Sequence, residues 1–203
     1  PVNYINSTAY YDIADDAEGN ALSAANNVVN VLNIYFVNDA AGFCGWARFT
    51  TDATDYIVIA NGCASNTSTL AHEMGHYFDL YHTHETAFGA ECVDGSNCGA
   101  AGDLLCDTPA DPNLSGLVTA SPACGYTGMA VDGCNSDPYT PSTINLMSYS
   151  AKDCRTVFTA QQNAKILFTI ANGRSYLNYS CCNAPNAICK THTAVLVGNS
   201  VTI

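Results

Sequence analysis

The chain has 203 residues, nearly half of them apolar, which suits one folded domain with a real core and excludes wholesale disorder. Six lysines and arginines stand against eighteen aspartates and glutamates, and a chain with a formal net charge of −12 repels both nucleic acid and anionic membrane. No apolar run approaches the ~20 residues that span a bilayer, and no basic–apolar leader opens the chain at Pro1, so any signal peptide is expected to have been removed or never to have belonged to it.

Residues 1–65 read as strands and loops. LNIYFV (32–37) and DYIVIA (55–60) are short runs rich in β-branched and aromatic residues, and both are expected to be buried strands. Cys44 and Cys63 flank the second, which suits a local bridge. Residues 67–79 read as a helix, with Asn66, Thr67 and Ser68 as caps and Leu70, Met74, Tyr77 and Phe78 as its apolar face. From 83 to 156 periodicity all but vanishes, and Gly, Pro, Asp, Asn and Cys dominate. A loop region of that length is functional or stapled. A second helix follows in FTAQQNAKILFTIANG, capped by Thr159 with Gln162 three residues on and stopped at Gly173. Ile166, Leu167 and Ile170 share one side, which makes it a packing helix. Residues after Cys181–Cys182 read as a linker and then an alternating strand with no partner strand in the chain. The eleven cysteines are spread along loops and not gathered as CxxC pairs, which points to disulfides formed in an oxidising compartment rather than a zinc ribbon. Their odd number leaves one thiol free, paired outside the chain or cut from its partner.

The chemistry concentrates in AHEMGHYFDLYHTHE, residues 71–85. On a helix His72 and His76 lie one turn apart on the same face, so both imidazoles reach one ion at ~2.0–2.1 Å. Glu73 stands beside them, within reach of a water on that ion. Catalytic zinc takes three protein ligands and keeps a fourth place open. His82 supplies the third if the chain turns back after Phe78, and that turn falls to Asp79, one of the few residue types besides glycine that tolerate positive φ. His84 would close the open place, so it is expected at the surface.

HEMGHYFDLYH resembles the metzincin pattern HExxHxxGxxH, with Asp79 where that pattern has glycine. NLMSYS (145–150) looks like the methionine turn of that clan, with Met147 as the floor beneath the metal. The longer string HEMGHYFDLYHTHE … GDLLCDTPADP … NLMSYS … CRTVFTAQQ resembles the pappalysin family of metzincins, its cytophagalysin-like bacterial branch in particular, from about Asn30 to about Leu177.

The resemblance implies an α+β, zincin-like metzincin fold: a twisted mixed sheet with the active-site helix above it, and a loop-rich, disulfide-stapled lower subdomain ending in a C-terminal helix. The catalytic domain would occupy residues 1–180, short at its N-terminal side of a strand and a helix that the family has. Residues 181–203 would be a linker or the start of a following β-sandwich module. The implied function is a secreted, extracellular zinc endopeptidase, monomeric, acting on proteins or peptides. Zinc would sit on His72, His76 and His82, with Glu73 activating its water and Tyr149 helping to hold substrate or oxyanion. The alternative is a catalytically inactive, metal-stabilised binding module. Asp103, Asp107 and Thr108, with Asp111 nearby, form an acidic loop suited to calcium, which some relatives bind in the matching region. Two interleaved bridges are implied around the methionine turn, Cys124 with Cys154 and Cys134 with Cys92, Cys98 or Cys106.

Overall fold

The computed structural model describes residues 5–66 and 68–177, together with two short strands in the tail. The first half is built on a strand, β5 (Ile57–Ala60), whose four residues are all buried. β2 (Ile34–Val37) pairs with it in parallel and β4 (Gly45–Ala47) antiparallel, giving the mixed order β2-β5-β4. Beside this sheet β1 (Asp12–Ile13) pairs in parallel with β3 (Asp39–Ala40).

Side chains alternate across a strand, so β5 serves two cores. Val58 and Ala60 join Ile13, Leu22, Tyr35, Val37 and Tyr56 on one face. Ile57 and Ile59 join Tyr77 and Phe78 on the other, with Met74, Ile166 and Ile170 packed against them. The first face is covered by α1 (Asp16–Asn26), a helix where the sequence reading expected only strands and loops. Its signal is local. The Asp15 side chain accepts the Glu18 N–H, and the Glu18 carboxylate accepts the Ala14 N–H, but Gly19 and Asn20 within the first turns blur the helical pattern. LNIYFV also differs from expectation. It is an edge strand, and Phe36 on it is 54% exposed.

The second face is covered by α3 (Thr69–Tyr77), which follows β5 through the single turn α2 (Asn61–Ala64) and packs on β4 and β5. Of the three expected caps, Asn66 acts: its side chain accepts the Thr69 N–H. Leu70, placed on the apolar face by its spacing, is partly exposed. No helix or longer strand interrupts residues 78–159, where only isolated bridges occur. Four disulfides hold the fold. Cys44–Cys63 ties the ends of the β4–β5 hairpin, and Cys92–Cys134, Cys98–Cys106 and Cys124–Cys154 staple the loop region.

α4 (Ala160–Asn172) closes the second core, with the Thr159 and Gln162 capping box complete and Gly173 at its C-cap. Ile166 and Ile170 pack inward, whereas Leu167 is 67% exposed, so it leaves the apolar stripe proposed for it. This α+β arrangement, a mixed sheet with the histidine-bearing helix above and a loop-rich, disulfide-stapled lower part ending in a helix, is the zincin-like fold. In the tail the expectation of an unpartnered strand is overturned. β6 (Val195–Val197) and β7 (Ser200–Thr202) pair with each other antiparallel. Cys181, Cys182, Cys189 and His192 lie outside the described residues.

Candidate metal centre

Helix α3 presents His72, Glu73 and His76 from one buried stretch. Past Tyr77 the chain reverses at Asp79, which adopts φ 64°. Its carboxylate accepts the Thr50 N–H at 2.8 Å, the Thr50 hydroxyl at 2.7 Å and the Thr169 hydroxyl at 3.2 Å. The Asp79 carboxylate therefore ties the turn to the β4–β5 loop and to α4. The reversal delivers His82 to the helix pair.

The three Nε2 atoms lie 3.2 Å (His72–His76), 3.2 Å (His72–His82) and 2.9 Å (His76–His82) apart. Tetrahedral ligands at ~2.0–2.1 Å from one ion are separated by about 3.3 Å, so these spacings fit a single bound cation. Nδ1 of His72 lies 2.6 Å from the Leu146 carbonyl and Nδ1 of His76 lies 2.8 Å from the Leu80 carbonyl. A carbonyl only accepts, so both Nδ1 atoms carry the proton and both Nε2 lone pairs face the centre. Burial holds all three imidazoles neutral, His72 down to about 3, His76 to about 4 and His82 to about 2. Three converging lone pairs kept unprotonated need a cation between them, and the histidine set suits zinc.

Glu73 is buried beside this triad. Burial pushes its carboxyl up to about 8, opposed by the charges of Arg155 and Lys152. Met147 is wholly buried under α3. A β-carbon at Gly75 would overlap the Met147 sulfur, so the glycine inside HEMGH is what lets helix and loop approach. The loop is held from three sides: Asn145 accepts the Met147 N–H, the Asn145 and Gln162 amides bond each other reciprocally, and Thr83 N–H donates to the Met147 carbonyl. The Tyr149 ring lies 4.6 Å from that of His82 and 6.1 Å from that of His72. His84, expected at the surface, is half-buried. It stacks on His82 at 4.9 Å and lies 4.4 Å from Tyr149. His72, Glu73, His76, His82 and Tyr149 line one cleft of about 1170 Å³, which runs past β4 and is also lined by Lys152 and Arg155.

The acidic loop divides. Asp107 accepts the Thr159 hydroxyl and the Gln161 N–H, both at 2.7 Å, so its carboxylate serves the start of α4. Asp103 and Thr108 stay together, hydroxyl to carboxylate at 2.8 Å. Glu91, which sequence reasoning did not single out, lies against Asp103 and over Gly102. Asp111 is elsewhere again, bound by the Thr83 hydroxyl at 2.6 Å. Cys92, Cys134 and Asp132 also converge, but the two sulfurs are joined to each other and offer no metal ligand.

The chain has relatives among known proteins. The peptidase family described as pregnancy-associated plasma protein-A matches residues 20–171. The chain is similar to an extracellular metalloprotease of Pyricularia oryzae, 32% identical over 159 residues that cover 71% of this chain and 50% of that one. One from Verticillium alfalfae is 31% identical over 151 residues, 66% of this chain and 48% of that one. The chain thus spans about half the length of these relatives. A solved structure of mirolysin superposes with a TM-score of 0.56 at 24% identity, covering 84% of this chain and 66% of that one, a likeness of fold. The match contains β2, β5, the histidine triad, the Met147 loop and nearly all of α4, so the chain belongs to the pregnancy-associated plasma protein-A family of peptidases, the pappalysins.

Proposed function

We propose that the chain is the catalytic unit of a secreted zinc endopeptidase. The observation that carries this is the convergence of three Nε2 lone pairs within 3.2 Å of one another, with Glu73 buried next to them in an open cleft. Zinc, when bound, supplies a Lewis acid that makes water nucleophilic near neutral pH and polarises the peptide carbonyl. His72, His76 and His82 would hold it, the first two oriented by the Leu146 and Leu80 carbonyls. Glu73 takes the proton from the attacking water and delivers it to the leaving amine. Tyr149, on the cleft wall beside His82, donates a hydrogen bond from its hydroxyl to the oxygen that becomes negative and keeps its proton. The four disulfides and the extracellular relatives support a secreted setting.

The test is Glu73→Gln with zinc content measured. The variant is expected to retain about one zinc per chain and to lose roughly 10²–10⁴-fold or more in kcat on a peptide that the parent cuts. Equal cleavage by both would remove Glu73 from the mechanism, and a parent that binds zinc without cutting would leave a metal-stabilised binding module.

Calcium belongs to the same proposal as a stabilising ion, with Glu91 in place of Asp107. One oxygen each of Glu91 and Asp103 is buried without a hydrogen-bond partner among the described residues. Burial raises both carboxyls, Glu91 to about 7 and Asp103 to about 6. Two adjacent buried acids with idle oxygens fit a hard divalent cation.

A further inference from the structure

The positive charges of this chain are few, and their placement is uneven. Of the six lysines and arginines, Lys190 lies outside the described residues, Arg48 pairs with Asp16 at 3.0 Å and Arg174 with Asp55 at 2.6 Å. Lys165 lies over the Phe168 ring. Lys152 and Arg155 instead line the catalytic cleft beside His72, Glu73 and Tyr149, and neither makes a salt bridge among the described residues.

Arg155 is 7% exposed. One of its nitrogens donates to the Ser148 carbonyl at 3.1 Å and stands 3.5 Å from Nδ1 of His72. Lys152 is exposed, and its backbone is fixed at the start of α3 where its carbonyl accepts the Ser68 hydroxyl at 2.8 Å. Its ammonium rests against the sulfurs of Cys44 and Cys63, which are weak acceptors and neutralise nothing. The charged groups facing the pair are each other, Glu73 and the Tyr149 phenol. Asp153, their neighbour in sequence, is engaged by the Ser121 N–H at 2.9 Å. The other carboxylates of the cleft are occupied as well. Asp15 caps α1, Asp16 holds Arg48, and Glu85 accepts the Thr86 and Ala87 N–H groups.

Two cations therefore face one carboxylate, and that carboxylate is committed to moving a proton. A buried guanidinium next to a metal-binding imidazole is costly without an anion. A substrate carboxylate entering here would offset that cost and satisfy the idle donors. We propose that Lys152 and Arg155 form a subsite that selects a substrate carboxylate beside the bond to be cut, either an aspartate or glutamate side chain or the C-terminal carboxylate of a short peptide. The subsite rests on the peptidase reading for its position next to a scissile bond, and it runs against the preference for basic substrates that the acidic surface would suggest.

The experiment uses the zinc-loaded chain on peptide libraries randomised around the cleavage site, one C-terminally amidated and one with free C-termini. The expected result is a preference of about tenfold in kcat/KM for Asp or Glu over Lys or Arg at one position next to the bond. Lys152→Glu should abolish or reverse the ratio. Arg155→Met should reduce it, and the exposed Lys152 carries the test if that buried change prevents folding. Preference in the amidated library assigns the side chain, and preference confined to free C-termini assigns the terminal carboxylate. Cleavage without a charge preference, or a preference that Lys152→Glu leaves in place, overturns the subsite. Binding of fluorescent Asp- and Lys-containing peptides to zinc-loaded Glu73→Ala separates the two readings. If the parent cuts nothing but acidic peptide binding is lost with Lys152→Glu in that background, the subsite stands and the peptidase reading falls. Charge-independent binding with no cleavage overturns both.

Discussion

Asp79 stands at the reversal that brings His82 to the metal centre, and it works in two ways. Its backbone holds φ 64°, and its carboxylate gathers three hydrogen bonds from Thr50 and Thr169. The two contributions can be separated. Asp79→Gly keeps the left-handed turn and loses only the bonds, whereas Asp79→Ala loses the bonds and strains the backbone by about 1–2 kcal/mol more. Thermal unfolding should therefore rank parent above glycine above alanine, with zinc affinity following the same order. The reverse order would mean that the turn is not what the aspartate secures. His72, Glu73 and His76 are legible in the sequence because helical spacing alone puts two ligands on one face. His82 is legible as a type of residue at a distance, and its arrival depends on Asp79. Lys152, Arg155 and Glu91 are not legible. They sit in aperiodic loops, and only folding sets them beside Glu73 or Asp103.

Elements show the same division. β5 and α4 read plainly because one is a continuous apolar run and the other carries a capping box. α1 was hidden because its glycine and asparagine weaken the pattern, although Asp15 and Glu18 mark its start. Asp107 looked like a member of a cation site and is instead joined to the first turn of α4, a contact between residues some fifty positions apart. The end of α4 is tied by Arg174, which is 3% exposed. It donates to the Tyr77 and Arg48 carbonyls, lies 3.6 Å from the centre of the Tyr77 ring and pairs with Asp55. One side chain thus joins the ends of α3 and α4 to both strands of the β4–β5 hairpin region. Arg174→Met should lower stability by about 2–4 kcal/mol, the half-exposed Asp55 keeping the loss below that of a fully buried pair. Denaturant titration measures it, and a loss under 1 kcal/mol would make these contacts incidental.

Over the whole molecule, most of the described chain lies outside helices and strands, and disulfides staple its longest irregular stretch. Glu91 and Asp103 have folded-state pKa values raised by burial, to about 7 and about 6. A raised carboxyl favours folding below its ordinary pKa and loses that contribution as pH rises through the folded value. Metal-free protein should accordingly lose stability from about pH 4 to about pH 7 through this pair. Calcium should restore it, raising Tm more at pH 8 than at pH 5, because at pH 5 protons already occupy the oxygens. An equal calcium effect at both values would place the ion elsewhere.

The bridges Cys92–Cys134 and Cys124–Cys154 overlap in sequence, and on the proposed peptidase reading this ordering matters when the chain meets copies of itself. A cut at any peptide bond between 92 and 134 falls inside the first covalent ring, and a cut between 134 and 154 falls inside the second. Even two cuts, one in each ring, leave every fragment attached to the next. A single cut in this loop region, or one in each ring, should therefore release nothing: a sample nicked in this way should migrate as one band on a non-reducing gel and break into pieces only after reduction. Damage is retained in place, and the histidines at one end of the loop region stay joined to the methionine at the other.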